Sequence, residues 1–254
     1  MRSPDASIVK SAARTLEIFE YFDAVRRPAP IHDVAQALGY PHSSTAALLR
    51  SLADLGYLEY SITDKTFFPS IRVSLLGHWV GEEILSLRGI QHQMRAIADA
   101  TGMTVVLGSI SDGYCQYVRV LEAETPIRYH VKAGDRRCLA RSTLGHVLLG
   151  QEPAERRRIL ILRATWDGPE SAPAAEVIEK QAGQAAARGF AFNVGLVTPH
   201  AAMLAVPLRA GYANRPLALA VAAAEPFFQG RRTEILDILR SALTDLAPAE
   251  RASA

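Results

Sequence analysis

Residues 42–56, HSSTAALLRSLADLG, decide the fold of the N-terminal third of the chain. The apolar residues recur every three or four positions, which predicts a single helix with one buried stripe. The predicted buried stripe consists of Thr45, Leu48, Leu49, Leu52 and Leu55. The predicted exposed face consists of His42, Ser43, Ser44, Ala46, Ala47 and Arg50. Because this face begins with small and polar side chains, another molecule can approach the helix backbone closely there.

Two more helices are predicted before this one. The first begins at Val9, ends at about Phe22 and is followed by the proline-containing segment 26–30. Its predicted buried stripe consists of Val9, Ala12, Ala13, Leu16 and Phe19. The second covers residues 31–38, and Gly39 is predicted to cap it in the left-handed conformation. Two helices joined by a tight turn are typical of a helix-turn-helix, whose second helix enters the major groove of DNA.

After Gly56 the period of the sequence changes from helix to strand. Residues 57–61 and 66–68 predict two strands around the turn 63–65, and we interpret this hairpin as a wing. A small helical packing module without a ligand is the alternative interpretation of residues 9–70. Residues 1–80 carry eight basic and eight acidic side chains, so their net charge does not attract DNA. Attraction would have to come from the placement of charges, backbone amides and hydroxyls.

Residues 8–77 resemble the DNA-binding domain of the isocitrate lyase regulator (IclR) family of bacterial transcription factors. The resemblance rests on residues 9–14 (VKSAAR), on Val34-Ala35 followed by Leu38-Gly39, and on Ser43-Ser44-Thr45 before Leu48-Leu49. It implies that these residues contact DNA: Arg14, His42, Ser43, Ser44, Ala46, Ala47, Arg50 and Lys65. The family usually has an arginine at the position of Ala47, so hydroxyls, Arg50 and Lys65 are expected to carry more of the recognition.

The remaining two thirds of the chain predict a linker and a second domain. Apolar residues between Leu75 and Leu87 predict a linker helix, in which Trp79 either pairs two chains or packs on its own wing. Predicted strands are 104–109, 114–121, 127–131, 190–192, 202–208 and 216–223. Predicted helices are 90–100, 142–149, 154–162, 174–188 and 230–246. We therefore expect an α+β protein with a winged helix-turn-helix (1–73), a linker helix (74–88) and an effector domain built on an antiparallel sheet (89–254).

The second half also resembles the IclR family, whose effector domain is similar to GAF and PAS sensor folds. The resemblance rests on residues 134–137, 139–146, 188–191 and 204–207. The family often has a polar or thiol residue at the position of Met203 and serines on the last strand. This chain has alanine at 220, 222 and 223. The more apolar wall favours a ligand with a sizeable nonpolar body, such as an aromatic carboxylate.

A carboxylate site is predicted where residues 140–143 enter a helix, because backbone amides and two hydroxyls converge there. An ordinary helix cap by Ser142 is the alternative. The expected ligand-binding residues are Val106, Ala140, Arg141, Ser142, Thr143, Phe192, Asn193, Met203 and Ala222.

Catalytic and metal-binding motifs are not found in the sequence. No GxSxG surrounds Ser142, no HExxH occurs, and no glycine-rich phosphate loop follows a strand. Cys115 and Cys138 do not form a CxxC pair, so we expect two small buried residues, and the spacing of Cys138 and His146 is poor evidence for a catalytic dyad. We expect no metal, cofactor or membrane span, and the cysteine usage favours the cytoplasm.

The sequence as a whole favours a ligand-responsive, DNA-binding transcription regulator that senses a small organic acid. Its expected partners are a double-stranded DNA operator, the acid and a second copy of the chain. By the family resemblance, dimers are expected to assemble into dimers of dimers. A ligand-binding adaptor that does not bind DNA and a small-molecule enzyme are the alternatives.

Overall fold

The computed structural model describes residues 9–77, 89–123, 131–166, 173–212 and 215–244. The chain divides into two compact units, Met1–Glu82 and Glu83–Ala254. The division falls inside the predicted linker 74–88. Residues 71–77 are helical (α4), whereas the rest of the predicted linker helix, including Trp79, lies outside the described residues.

The N-terminal unit has the predicted order of three helices and a hairpin. The elements before α4 are α1 (Lys10–Val25), α2 (Ile31–Leu38), α3 (His42–Asp54), β1 (Leu58–Ser61) and β2 (Thr66–Pro69). Gly39 ends α2 at φ 67°, as predicted. The two strands pair antiparallel, and Phe67 also forms a bridge to Ala29 before α2. The hairpin is therefore anchored to the helical part through backbone hydrogen bonds as well as through its buried Phe67.

The core of this unit consists of Ile18, Phe22, Ala29, Val34, Leu49, Leu52, Leu58 and Phe67. Four residues predicted to be buried are exposed. In and next to α1 these are Val9 (67% exposed), Ala12 and Leu16 (64% exposed), because the helix buries a neighbouring stripe through Ile18 and Phe22. Leu55 is exposed because α3 ends before it and the chain turns at Gly56.

The C-terminal unit is built on a six-stranded, wholly antiparallel sheet in the order β5-β4-β3-β8-β7-β6. The strands are β3 (Thr104–Ser111), β4 (Tyr114–Leu121), β5 (Arg136–Cys138), β6 (Ala191–Val194), β7 (Ala201–Tyr212) and β8 (Arg215–Ala224). The helices are α5 (Ile90–Thr101), α6 (Thr143–Gly150), α7 (Ala154–Trp166), α8 (Ala175–Arg188) and α9 (Arg232–Thr244). The predicted strand 127–131 lies almost entirely outside the described residues, and β5 was not predicted.

The two faces of this sheet carry different side chains. One face presents leucine, valine and phenylalanine to α5 and α9, including Leu204, Leu219 and Val221. The other face presents mainly small residues to α6, α7 and α8, including Ala205, Ala218 and Ala220. Helices therefore cover both faces, and those on the alanine face can approach the strands more closely.

Helix α6 is buried on all sides from Thr143 to Leu149. Two glycines permit this position. A Cβ at Gly145 would lie 2.1 Å from the carbonyl oxygen of Leu139, and a Cβ at Gly150 would lie 2.8 Å from the carbonyl oxygen of Ala182. Both neighbours are backbone atoms, so neither can rotate away.

We expect Gly145→Ala to destabilise the C-terminal unit by at least about 2 kcal/mol, since the added methyl group must displace backbone in a close-packed interior. Gly183→Ala is the matched control, because Gly183 lies in α8 with no atom within 4 Å of a Cβ. The control should be neutral or more stable by up to about 1 kcal/mol, as alanine is the better helix former. Urea denaturation measures both, and equal stability of the two variants would contradict this packing.

Candidate functional site

The exposed face of α3 is the candidate nucleic-acid surface. His42, Ser43, Ala47 and Arg50 are exposed, as predicted from the helical spacing. Ser43, Ala47 and Arg50 follow one another at i, i+4 and i+7 and so share one side of the helix. The first amides of a helix have no acceptor within the helix, and together with the helix dipole they favour an anion at this end.

Two residues predicted for this exposed face, Ala46 and Ser44, are less exposed than expected. Ala46 is only 7% exposed, so its placement on the exposed face was wrong: the buried arc through Thr45, Leu49 and Leu52 is wide enough to include it. Ser44 is half-buried, and its hydroxyl donates to the carbonyl oxygen of Pro41 at 3.0 Å. A phosphate accepts hydrogen bonds, so Ser43 is the better placed donor of the two.

Arg14 and Lys65 occupy distinct positions in the N-terminal unit. The Arg14 guanidinium carbon lies 4.6 Å from the centre of the Tyr40 ring, so this side chain stacks on the turn between α2 and α3. Lys65 is exposed in the turn of the hairpin at φ 55°. The neighbouring turn residue Asp64 accepts a hydrogen bond from Ser61 and holds the turn closed.

A cleft of about 70 Å³ lies on the alanine side of the C-terminal sheet, next to the start of α6. Its lining residues are Tyr117, Val131, Arg137, Ser142, Thr143, Asn193, Leu196, Val197, Thr198, Ala201, Ala202, Met203 and Ala222. Five of the residues predicted from the sequence are brought together here: Ser142, Thr143, Asn193, Met203 and Ala222. An inner chamber of about 30 Å³ shares four of its residues with the cleft and is lined by Thr104, Val106, Tyr117, Val131, Met203 and Ala222.

Polar groups collect at one end of the cleft. The Ser142 hydroxyl accepts a hydrogen bond from the backbone amide of Gly145 at 3.2 Å. Ser142 therefore caps α6, as the alternative interpretation predicted. The Asn193 amide donates to the Thr143 hydroxyl at 3.3 Å. Arg137 pairs with Asp135 at 3.1 Å and also donates to the carbonyl oxygen of Arg136. A guanidinium has five N–H groups, more than these contacts use, so Arg137 can still donate to an anion.

Three predicted ligand residues line neither the cleft nor the inner chamber. Phe192 points to the opposite face of the sheet, where its ring centre lies 5.2 Å from that of Phe228. Phe192 and Asn193 are consecutive in β6, so they cannot both face the same side. Ala140 is buried, and its carbonyl oxygen contacts His146 Nε2 at 3.1 Å. Arg141 donates to the carbonyl oxygen of Leu196, at the edge of the cleft.

Comparison with protein families identifies both units. Residues 11–61 match the model of the IclR helix-turn-helix domain, and residues 85–247 match that of the bacterial transcriptional regulator IclR C-terminal domain. The second match alone spans more than half of the chain. The chain belongs to the IclR family. This family comprises transcriptional regulators and not enzymes, so the enzyme alternative no longer applies.

Curated IclR relatives match part of the chain. The HTH-type transcriptional regulator RhmR of Escherichia coli K12 is 24% identical over 164 residues, which cover 64% of this chain and 62% of the relative. The regulator KdgR of Dickeya chrysanthemi is 22% identical over 147 residues, covering 57% of this chain and 48% of the relative. The chain therefore matches only about half to three fifths of the length of these relatives.

Solved IclR structures share the fold. An IclR homologue from Microbacterium hydrocarbonoxydans, complexed with 4-hydroxybenzoate, superposes with a TM-score of 0.71 at 18% identity and covers 96% of this chain and 100% of that chain. Thermotoga maritima IclR superposes with a TM-score of 0.70 at 15% identity, covering 93% and 97%. The α+β architecture predicted from the sequence is thus the IclR architecture.

Other ligand chemistries find little support among the described residues of this IclR protein. No cluster of three or more histidine, cysteine, aspartate or glutamate side chains within them suits a metal ion. The helices within the same ranges are too short or too polar to cross a membrane. Cys115 is fully buried, as predicted, and burial raises the pKa of its thiol to about 12, whereas Cys138 is only partly buried.

The sequence reasoning missed Tyr117 and Arg137 as lining residues. Tyr117 alternates with residues of the opposite face along β4, and burial raises the pKa of its phenol to about 12, so the phenol stays neutral. Arg137 lies on β5, which was not predicted as a strand. The pair Arg136-Arg137 was visible as part of the family pattern, but the facing of each arginine depends on the pairing of β5 with β4.

Buried His146 makes the stability of the C-terminal unit sensitive to pH. It is 1% exposed, and burial lowers its pKa from 6.5 because the charged form is disfavoured. The unfolded chain therefore binds a proton that the folded chain does not, so stability is lost as pH falls through and below about 6.5. We expect His146→Gln to reduce the loss of unfolding free energy between pH 7 and pH 5 in urea titrations. The exposed His32→Gln is the control, and an equal pH dependence in both variants would contradict this assignment.

Proposed function

We propose that this IclR-family protein is a ligand-responsive transcription regulator that binds operator DNA through α3 and a small organic acid in the cleft of the C-terminal unit. The observation that carries the proposal is the presence of both parts in one chain: an exposed helix start in an IclR helix-turn-helix, and a polar-ended cleft in an IclR C-terminal domain. We further propose a cytoplasmic homodimer, assembled into dimers of dimers, that presents two recognition helices to two half-sites.

DNA contact is proposed for the exposed stripe of α3 together with the wing. Ser43 and the first amides of α3 would meet a phosphate, Arg50 would meet the sugar-phosphate backbone, and Lys65 would meet it from the wing. His42 would meet a base edge or phosphate, and Ala47 would leave room for close approach. Arg14 is proposed to act indirectly. It stacks on Tyr40 and so fixes the turn between α2 and α3, which keeps α3 in position.

We expect Ser43→Glu to weaken operator binding at least tenfold, because a carboxylate at this position repels phosphate. Folding should be unaffected or slightly stabilised, since a negative charge in the first turn of a helix is favourable. Gel-shift titration at several salt concentrations against the promoter of the protein's own gene and against random duplex provides the measurement.

Gln184→Glu is the control for this experiment, as it adds the same charge at an exposed position in the other unit. Unchanged affinity of the Ser43→Glu protein would refute the role of α3. Failure of the unaltered protein to shift any duplex at low salt would favour the adaptor function, which the balanced charge of residues 1–80 would suit.

The acid is proposed to bind with its carboxylate at the polar end of the cleft. Arg137 supplies a positive charge, Thr143 and Thr198 supply hydroxyls, and Asn193 supplies an amide. Met203 and Ala222 form an apolar wall that suits a nonpolar ligand body, and aromatic carboxylates satisfy both requirements. The complex of the Microbacterium hydrocarbonoxydans homologue with 4-hydroxybenzoate supports this class of ligand.

We expect Arg137→Gln to weaken the binding of 4-hydroxybenzoate about tenfold or more, as hydrogen bonds to a charged group contribute about 1.5–3 kcal/mol. Arg136→Gln is the matched control, because this neighbour is exposed and its guanidinium lies 4.1 Å from the centre of the Tyr114 ring. Isothermal titration calorimetry with the acid and with its neutral amide measures the effect. Similar losses in both variants, or equal affinity for acid and amide, would contradict the proposed carboxylate site.

A further inference from the structure

One row of four residues crosses the strands beneath the cleft and the inner chamber. The strand registers place Thr104 opposite Ala222, Ala222 opposite Met203, and Met203 opposite Asn193. Directly opposite residues of neighbouring strands face the same side of a sheet. Each of the four residues lines the cleft, the inner chamber or both. The row therefore runs perpendicular to β3, β8, β7 and β6.

The row is polar at both ends and apolar in the middle. Asn193 lies at one end, beside the polar group that contains Arg137 and Thr143. Thr104 lies at the other end, where its hydroxyl accepts a hydrogen bond from the backbone amide of Ala123 at 3.0 Å. A hydroxyl that accepts one hydrogen bond can still donate its own proton. Neighbouring strands are about 4.8 Å apart, so the two ends of the row are about 14 Å apart.

The neighbouring row on the same face consists of Val106, Ala220, Ala205 and Ala191, which belong to or pack against the hydrophobic core beside α6 and α8. Val106 of this row also lines the inner chamber, so the chamber extends over both rows at β3. Ala222, the smallest side chain of the Thr104 row, lies between the cleft and the inner chamber and lines both.

We infer that the effector is an elongated acid with an oxygen acceptor at the end remote from its carboxylate. Thr104 selects for the remote oxygen, and the small side chain of Ala222 sets the length that the site accepts. This inference rests on the proposed function, in which the carboxylate lies at the Arg137 end of the cleft.

The first test compares 4-hydroxycinnamate with cinnamate, which lacks the remote oxygen, by calorimetry on the full chain. We expect the unaltered protein to prefer 4-hydroxycinnamate roughly tenfold, the effect of one well-formed hydrogen bond. Thr104→Val should abolish this preference while keeping the affinity for cinnamate. Thr101→Val is the matched control, because Thr101 is equally buried and its hydroxyl also accepts a backbone amide, that of Met103 at 3.2 Å. The control should keep the preference.

The second test changes the length of the site. Ala222→Leu should fill the passage to the inner chamber and weaken both cinnamates at least tenfold, while benzoate keeps its affinity within about twofold. Ala223→Leu is the control, since the next residue of β8 faces the opposite side of the sheet and packs against the other core. It should leave the ranking of the three acids unchanged.

The outcomes separate this inference from the proposed function. If none of the acids binds, the acid site and the inference both fail. If benzoate binds and Arg137→Gln weakens it, the acid site stands. The inference is then overturned if Thr104→Val keeps the preference for 4-hydroxycinnamate, or if Ala222→Leu weakens benzoate as much as the cinnamates.

Discussion

The close approach of α6 to its neighbours is the contact on which the C-terminal unit depends. Gly145 lies against the carbonyl of Leu139, Gly150 lies against α8, and alanines of β7 and β8 lie on the sheet face that α6 covers. Interiors pack at crystal-like density, so a helix can lie this close only where small residues face it. The same contact holds Ser142 and Thr143 in place at the cleft, and so links the stability of the unit to the shape of the cleft.

The cleft exists because this cover ends before the edge of the sheet. Ala205 and Ala220 are fully buried beneath helices, whereas Met203 and Ala222, one row further along the strands, line open space. The opposite face has larger side chains, is covered by α5 and α9, and supplies apolar burial. A ligand in the cleft would contact both the sheet and the first turn of α6, and would stabilise the folded unit by mass action.

In the N-terminal unit, local hydrogen bonding decides which groups remain available to DNA. The hydroxyls of Ser44 and Thr45 both donate to the carbonyl oxygen of Pro41, so they stabilise the start of α3. Ser43 and the helix amides are then the groups best able to meet a phosphate. Because the charges of residues 1–80 balance, the proposed binding to DNA depends on the position of a few groups, and single substitutions on α3 should have large effects on it.

The amino-acid pattern predicted the elements whose signals are local: the helical period of residues 42–54, the cap at Gly39, the hairpins and the antiparallel α+β order. The helix start at Ser142 and Thr143 and the family pattern at Met203 predicted that these residues lie close together, and all three line one cleft. The folded chain was needed to show which stripe of α1 is buried and that Ala46 faces inward. It also showed that Phe192 and Asn193 face opposite sides of the sheet and that Arg137 reaches the cleft. These orientations depend on strand pairing and helix packing between residues that are distant in the chain. The periodicity of one segment does not show which of its faces another segment will cover.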